Sequence, residues 1–115
     1  MTDHLILNRD QLPFDGDVYE FEGLQYQNTD VSFIWVDMPP GGNIRLHKHP
    51  YAEIFIIQEG ISTFTVGSET LEARAGQIII VQANVPHKFR NASSAQLKQI
   101  DIHLSKEFIT FWLEE

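Results

Sequence analysis

The sequence predicts an all-β protein, a double-stranded β-helix (jelly-roll barrel) with a short C-terminal helix. Short apolar runs recur between turn signals at residues 18–26, 31–38, 44–47, 53–58, 61–66, 78–81, 86–90 and 96–104, the spacing of strands rather than helices. Eight or more short antiparallel strands in a chain of 115 residues are best housed in two packed sheets. The ending breaks the pattern. Ser105 is a good helix N-cap, and Phe108, Ile109, Trp112 and Leu113 follow at one-face helical spacing, so residues 106–114 are expected to form a helix covering apolar surface.

The punctuation between the runs supports the strands. Pro39-Pro40-Gly41-Gly42 cannot continue a strand and reads as a loop. Gly67-Ser68, between Val66 and Glu69, fits a two-residue hairpin turn with glycine at its first central position. No internal repeat, low-complexity tract or linker interrupts the chain, so residues 1–115 are expected to form one domain.

Composition excludes several functions. The 16 acidic residues outnumber 8 basic ones, for a formal net charge of −8, and no Lys/Arg cluster offsets it, which argues against nucleic-acid binding. There are no cysteines, so neither disulfides nor thiolate ligands are available. No apolar run approaches the roughly 20 residues that span a bilayer, and the N-terminal run lacks a signal-peptide layout. A cytoplasmic location and no membrane partner are expected.

The chemistry concentrates in one stretch. His47-Lys48-His49 places two imidazoles on the same face of an extended strand, since side chains alternate with period two. Glu53 opens the next apolar run and can return to that face after Pro50, and His87 follows downstream. On a solvated strand these residues would need no metal. Gathered together, three imidazoles and a carboxylate suit one divalent transition metal: Mn, Fe, Ni or Co in preference to Zn held as a closed tetrahedral site. His4, in a polar N-terminal segment, is given no role.

The wider spacing resembles a known family. Gly41, His47, His49, Glu53 and Gly60 stand at every fixed position of the first sequence motif of the cupins. Gly76, His87 and Asn91 stand at the spacings of the second, with Gln82 and Asn84 replacing its proline and inner glycine. Asn84 is the mildest substitute, because Asn tolerates positive φ. The resemblance implies a small metal-binding cupin with His47, His49, Glu53 and His87 as ligands. It further implies an enzyme of the family's usual range: dioxygenases, decarboxylases or isomerases.

Strand parity proposes the neighbours of these ligands. Counting by twos puts Arg45 beside His47, Phe55 and Ile57 beyond Glu53, and Phe89 and Asn91 beyond His87. Phe55, Ile57 and Phe89 are walls of a substrate pocket or plain core. Arg45 is a carboxylate clamp or a salt-bridge partner. Asn91 ends a strand through side-chain to backbone hydrogen bonds. His103 shares a strand face with Asp101, opposite Ile100, Ile102 and Leu104. With the isoleucines inward, His103 is exterior; with both faces buried it could carry a proton in the pocket.

Two functional classes follow. One is a metal-dependent enzyme, dioxygenase-like, on a small anionic or enolisable carbonyl substrate, with Glu53 and His103 as candidate catalytic groups; isomerase and decarboxylase chemistry are its variants. The other is a non-catalytic small-molecule sensor. Strands apolar on both faces, such as Phe33-Ile34-Trp35-Val36, need cover on both sides, so a homodimer is expected.

Overall fold

The computed structural model describes residues 3–115; Met1 and Thr2, which open the N-terminal run searched for a signal peptide, lie outside the described residues. Eleven strands form among them: β1 (Phe14–Asp15), β2 (Val18–Phe21), β3 (Ser32–Met38), β4 (Asn43–Lys48), β5 (Glu53–Glu59), β6 (Ile61–Val66), β7 (Glu69–Arg74), β8 (Ile78–Val81), β9 (His87–Arg90), β10 (Leu97–His103) and β11 (Phe111–Trp112). They make a six-stranded sheet, β1-β2-β3-β10-β5-β8, and a five-stranded sheet, β11-β4-β9-β6-β7. This is the expected jelly roll. Apart from β1-β2-β3 and β6-β7, the neighbouring strands are non-consecutive, so residues distant in sequence meet at one end of the barrel.

The core is where the inner faces of the two sheets touch. Val36 and Met38 of β3, Phe55 and Ile57 of β5, Phe64 of β6, Phe89 of β9 and Leu97 of β10 are buried in one cluster. Phe55 and Phe64 meet edge to face with centroids 4.9 Å apart, a geometry that favours aromatic pairs. The β6–β7 hairpin turns at Gly67, φ 60°, a conformation glycine adopts without the Cβ penalty. Asn84 takes φ 66° and donates its N–H to His49 O at 2.7 Å. The turn before His87 therefore closes although the motif's inner glycine is missing.

Three short strands, β1, β7 and β11, were not among the apolar runs, and the run that begins at residue 18 ends at Phe21. The C-terminal helix is absent. Ser105 Oγ accepts the Glu107 N–H at 3.2 Å, but no helix follows, because later backbone groups are drawn elsewhere. Phe108 N–H donates to Glu22 Oε2 at 3.0 Å, and Leu113 N–H to Leu46 O at 2.9 Å. The tail thus becomes β11, antiparallel to β4, and satisfies an edge that a helix would leave unpaired.

Candidate metal centre and cavity

Four strand ends converge on the site. β4 supplies His47 and, just past its end, His49; β5 begins with Glu53; β9 begins with His87; β10 ends with His103. Backbone register explains the meeting. His47 pairs with His87 across β4–β9, and Glu53 with His103 across β5–β10. All five side chains are buried. The ligand atoms of His47, His49, Glu53 and His87 lie within 4.8 Å of one another.

Hydrogen bonds fix the imidazole tautomers. Nδ1 of His47 lies 2.6 Å from Arg45 O, Nδ1 of His49 2.8 Å from Ile109 O, and Nδ1 of His87 2.9 Å from Val85 O. A carbonyl only accepts, so each Nδ1 carries the proton and each neutral ring presents a bare Nε2. Those lone pairs are turned on another acceptor. Glu53 Oε1 sits 3.1 Å from His49 Nε2 and 3.0 Å from His87 Nε2, and His49 Nε2 has no hydrogen-bond partner. Buried acceptors facing one another repel unless a cation lies between them. Burial lowers the pKa of His47 to about 4, which keeps that ring neutral and coordinating. Burial acts to raise the Glu53 pKa, but His103, whose Nε2 faces Oε2, overrides that and holds the carboxyl well below the ordinary range. The donor set, its protonation and its orphaned nitrogen all fit a metal ion.

His103 differs in tautomer. Its Nδ1 is 2.7 Å from the Tyr51 hydroxyl, which accepts the Ile109 N–H at 3.3 Å. Burial pushes the Tyr51 pKa up to about 12, so the phenol keeps its proton and donates it to His103 Nδ1. The His103 proton then belongs on Nε2, which lies 3.1 Å from Glu53 Oε2, though not aligned as a hydrogen bond. Three imidazoles offer lone pairs to the centre. The fourth offers a proton.

A cavity of about 240 Å³ opens beside these residues, with Phe89, Phe108 and Trp112 among its walls. The structure places the other residues singled out by parity as follows. Phe55 sits behind His87, centroids 5.9 Å apart, and with Ile57 belongs to the core rather than to the cavity wall. Arg45 is exposed on the outside, its guanidinium 4.5 Å from the Trp112 ring centroid and its Nη1 3.4 Å from Glu114 O. A register shift between Ile44 and His47 puts an extra residue into β4, so Ile44 takes the inward position that counting by twos gave to Arg45. The exterior position expected for His103 is also corrected, since β10 turns Gln99, Asp101 and His103 inward. Asn91 ends β9, its amide donating to Met38 O and Ala95 O at 3.1 and 2.7 Å. Sequence reasoning passed over Tyr51 and Glu20, and placed Asp101 on the face of His103 without giving it a role.

A family model for the cupin domain matches residues 34–103, the span that carries all five residues of the cluster. The chain belongs to the cupin family. Among curated relatives, this cupin is 35% identical to a polyketide synthase CurC of Streptomyces cyaneus over 69 residues, 59% of this chain and 44% of that one. It is 29% identical to an H2HPP isomerase of Bacillus subtilis over 101 residues, 87% of this chain and 42% of that one. It therefore spans less than half the length of either. Among solved structures, a Bacillus subtilis oxalate decarboxylase described with Mn(II) centres superposes with a TM-score of 0.81 at 21% identity, over 90% of this chain and 30% of that one. An oxalate oxidase superposes with a TM-score of 0.74 at 19% identity, over 84% and 54%. At such identities these two establish the fold alone.

Proposed function

We propose that the chain is a mononuclear metal enzyme that enolises a small carbonyl compound. The observation that carries this reading is the opposition of tautomers: three bare Nε2 atoms and a carboxylate around one point, with a proton-bearing His103 beside them. A divalent Mn, Fe, Ni, Co or Zn ion held by His47, His49, Glu53 and His87 would supply a Lewis acid for the oxygen of the substrate. The protein's own groups do the rest. Phe89, Phe108 and Trp112 exclude water from the cavity. His103 Nε2 holds or returns a proton beside Glu53 Oε2, and Tyr51 fixes the ring that does so.

Enolisation leads either to reaction with dioxygen or to return of the proton at another carbon. The Tyr51–His103 pair favours the second, isomerase-like outcome, since it moves protons and no electrons. Similarity to a protein named as an isomerase over 87% of this chain supports the same choice. The test is a panel of diketones and keto acids with Mn-, Fe-, Ni- and Co-loaded protein under air and under nitrogen. Turnover that persists under nitrogen is expected. Turnover only under air would transfer the reading to a dioxygenase, and thermal stabilisation without turnover for any metal would leave a sensor.

The chain is proposed to work as a homodimer. Ile78 and Ile80 on edge strand β8 are 64% and 61% exposed, and Ile56 beside them is also exposed, an apolar outer face that association would cover. Sedimentation at twice the mass of the chain, lost on Ile80→Asp, is expected. A wild-type monomer at micromolar concentration would refute it.

A further inference from the structure

The cavity's charge is opposite to what a carboxylate substrate needs. Besides Glu53, its wall carries Asp15 of β1, Glu20 of β2 and Asp101 of β10, and no lysine or arginine. Lys48 and Lys88, next to the ligands in sequence, do not line it, and Arg45 is turned outward onto Trp112 by the β4 register shift. Arg9, the other arginine on this side of the chain, lies over Tyr19 and Trp35. Beside the cavity, His103 Nε2 is left without a hydrogen-bond partner, on a side chain 2% exposed. A ligand could meet that atom, and the acids in the wall limit what it can be.

We infer that Asp15 and Glu20 make this cavity select uncharged carbonyl compounds carrying a hydrogen-bond donor, and reject carboxylates. This rests on the metal-centred reading above and narrows its substrate. An incoming carboxylate would surrender its hydration in a largely apolar chamber where Glu53, Asp15 and Glu20 together outweigh the charge of a divalent ion and no cationic side chain lines the wall. The cavity already resists added negative charge. Burial raises the pKa of Glu20, and the Asp15 and Glu22 carboxylates raise it further. An uncharged ligand escapes that repulsion, and a hydroxyl or amide N–H on its far side would donate to Glu20 or Asp101. Oxalate, the acid named in two structural relatives, is on this argument a poor substrate here.

Pyruvate and its isosteric amide, pyruvamide, separate charge from shape. Dissociation constants for both would be measured by calorimetry on Mn(II)-loaded wild-type protein, Glu20→Gln and Asp15→Asn. Wild type should bind pyruvamide more tightly than pyruvate. In Glu20→Gln the preference should shift toward pyruvate by about tenfold, the scale of one carboxylate acting across a small cavity of intermediate dielectric. Asp15 is exposed, so Asp15→Asn carries the same comparison, with a smaller shift, should Glu20→Gln not fold. Tighter pyruvate binding by wild type, no binding of pyruvamide, or a ratio unmoved by either substitution would overturn the inference. Metal atoms per chain, counted on the same samples, read on the metal centre separately. One metal with a reversed preference sinks the wall and spares the centre. No metal, with the preference retained by metal-free protein, does the opposite.

Discussion

Strands β5 and β10 lie side by side, yet their inward rows are opposites. β5 sends in Glu53, Phe55 and Ile57; β10 sends in His103, Asp101 and Gln99 against them, pair by pair. Glu53 and His103 meet at the metal end, while further along each apolar side chain of β5 has a polar neighbour on β10. Gln99 and Asp101 answer one another, Nε2 donating to Oδ1 at 2.8 Å. In β10 the isoleucines face outward and the polar groups inward, the reverse of the usual one-sided sheet. A barrel with a candidate site inside has to bury polar groups, and β10 supplies those that are not among the candidate metal donors. The division makes distinct demands on each row: candidate metal donors at the end, packing along β5, polarity and, on the proposed reading, proton handling along β10.

The strongest way to break that division is at the ligands. His47→Ala with His49→Ala removes two of four donors and should abolish metal binding, read as metal atoms per chain. Near-stoichiometric metal in the double variant would show that the centre lies elsewhere. Phe55→Ala tests the packing half. Truncating this buried ring, which contacts Phe64, Phe89 and His87, should cost about 3–5 kcal/mol in urea unfolding, with one metal per chain retained under native conditions. Loss of both together would mean that core and centre are not separable along β5.

His103→Asn tests the other row. It should keep the metal and lower turnover of an active carbonyl by roughly a hundredfold, the low end for a positioned acid–base group. Tyr51→Phe should give a smaller loss in the same direction and change the pH profile of kcat, because the ring remains but its tautomer is no longer fixed. Loss of metal in His103→Asn would recast His103 as a ligand. Acid acts on the ligands themselves. The His47 pKa is about 4 when folded, below its ordinary 6.5. The unfolded chain therefore binds the extra proton first, and stability present above about pH 6.5 is lost as pH falls toward 4. Metal occupancy after dialysis should decline in that window as well, and occupancy unchanged at pH 4.5 would argue for different donors.

The ligands were legible because their signal is local. His47, His49 and Glu53 sit within seven residues with a turn between them; strand periodicity puts the two histidines on one face, and the turn at Pro50 can bring Glu53 back to it. The barrel was legible from its recurring runs. Three features were not, each for a tertiary reason. The extra residue in β4 flips Arg45 outward, and a bulge leaves no mark in an alternating pattern. The tail has a helical apolar spacing, but the unpaired edge of β4 outweighs it, since backbone hydrogen bonds gained there exceed a short helix's marginal propensity. β10 alternates clearly, yet alternation names two faces without saying which is inside. Apolar preference chose the isoleucines; the buried partners Glu53, Gln99 and Tyr51 decided otherwise.

The smallest effect concerns Asp101, and it sharpens the contrast by asking whether the polar row of β10 is itself costly. Burial raises this carboxyl's pKa well above 3.8, and the Glu53 charge adds to it against the Gln99 amide. In metal-free protein the folded chain thus keeps a proton that the unfolded chain releases. A raised acid contributes stability that is complete below about pH 4 and is lost as pH rises through the folded value. Asp101→Asn keeps an oxygen to accept the Gln99 Nε2–H and cannot ionise. Relative to wild type, the variant should therefore gain stability as pH rises above about 4, read as urea midpoints of metal-free protein at each pH. Parallel curves would mean that Asp101 ionises inside the barrel without penalty, and that the inward polar row of β10 is better solvated than its burial implies.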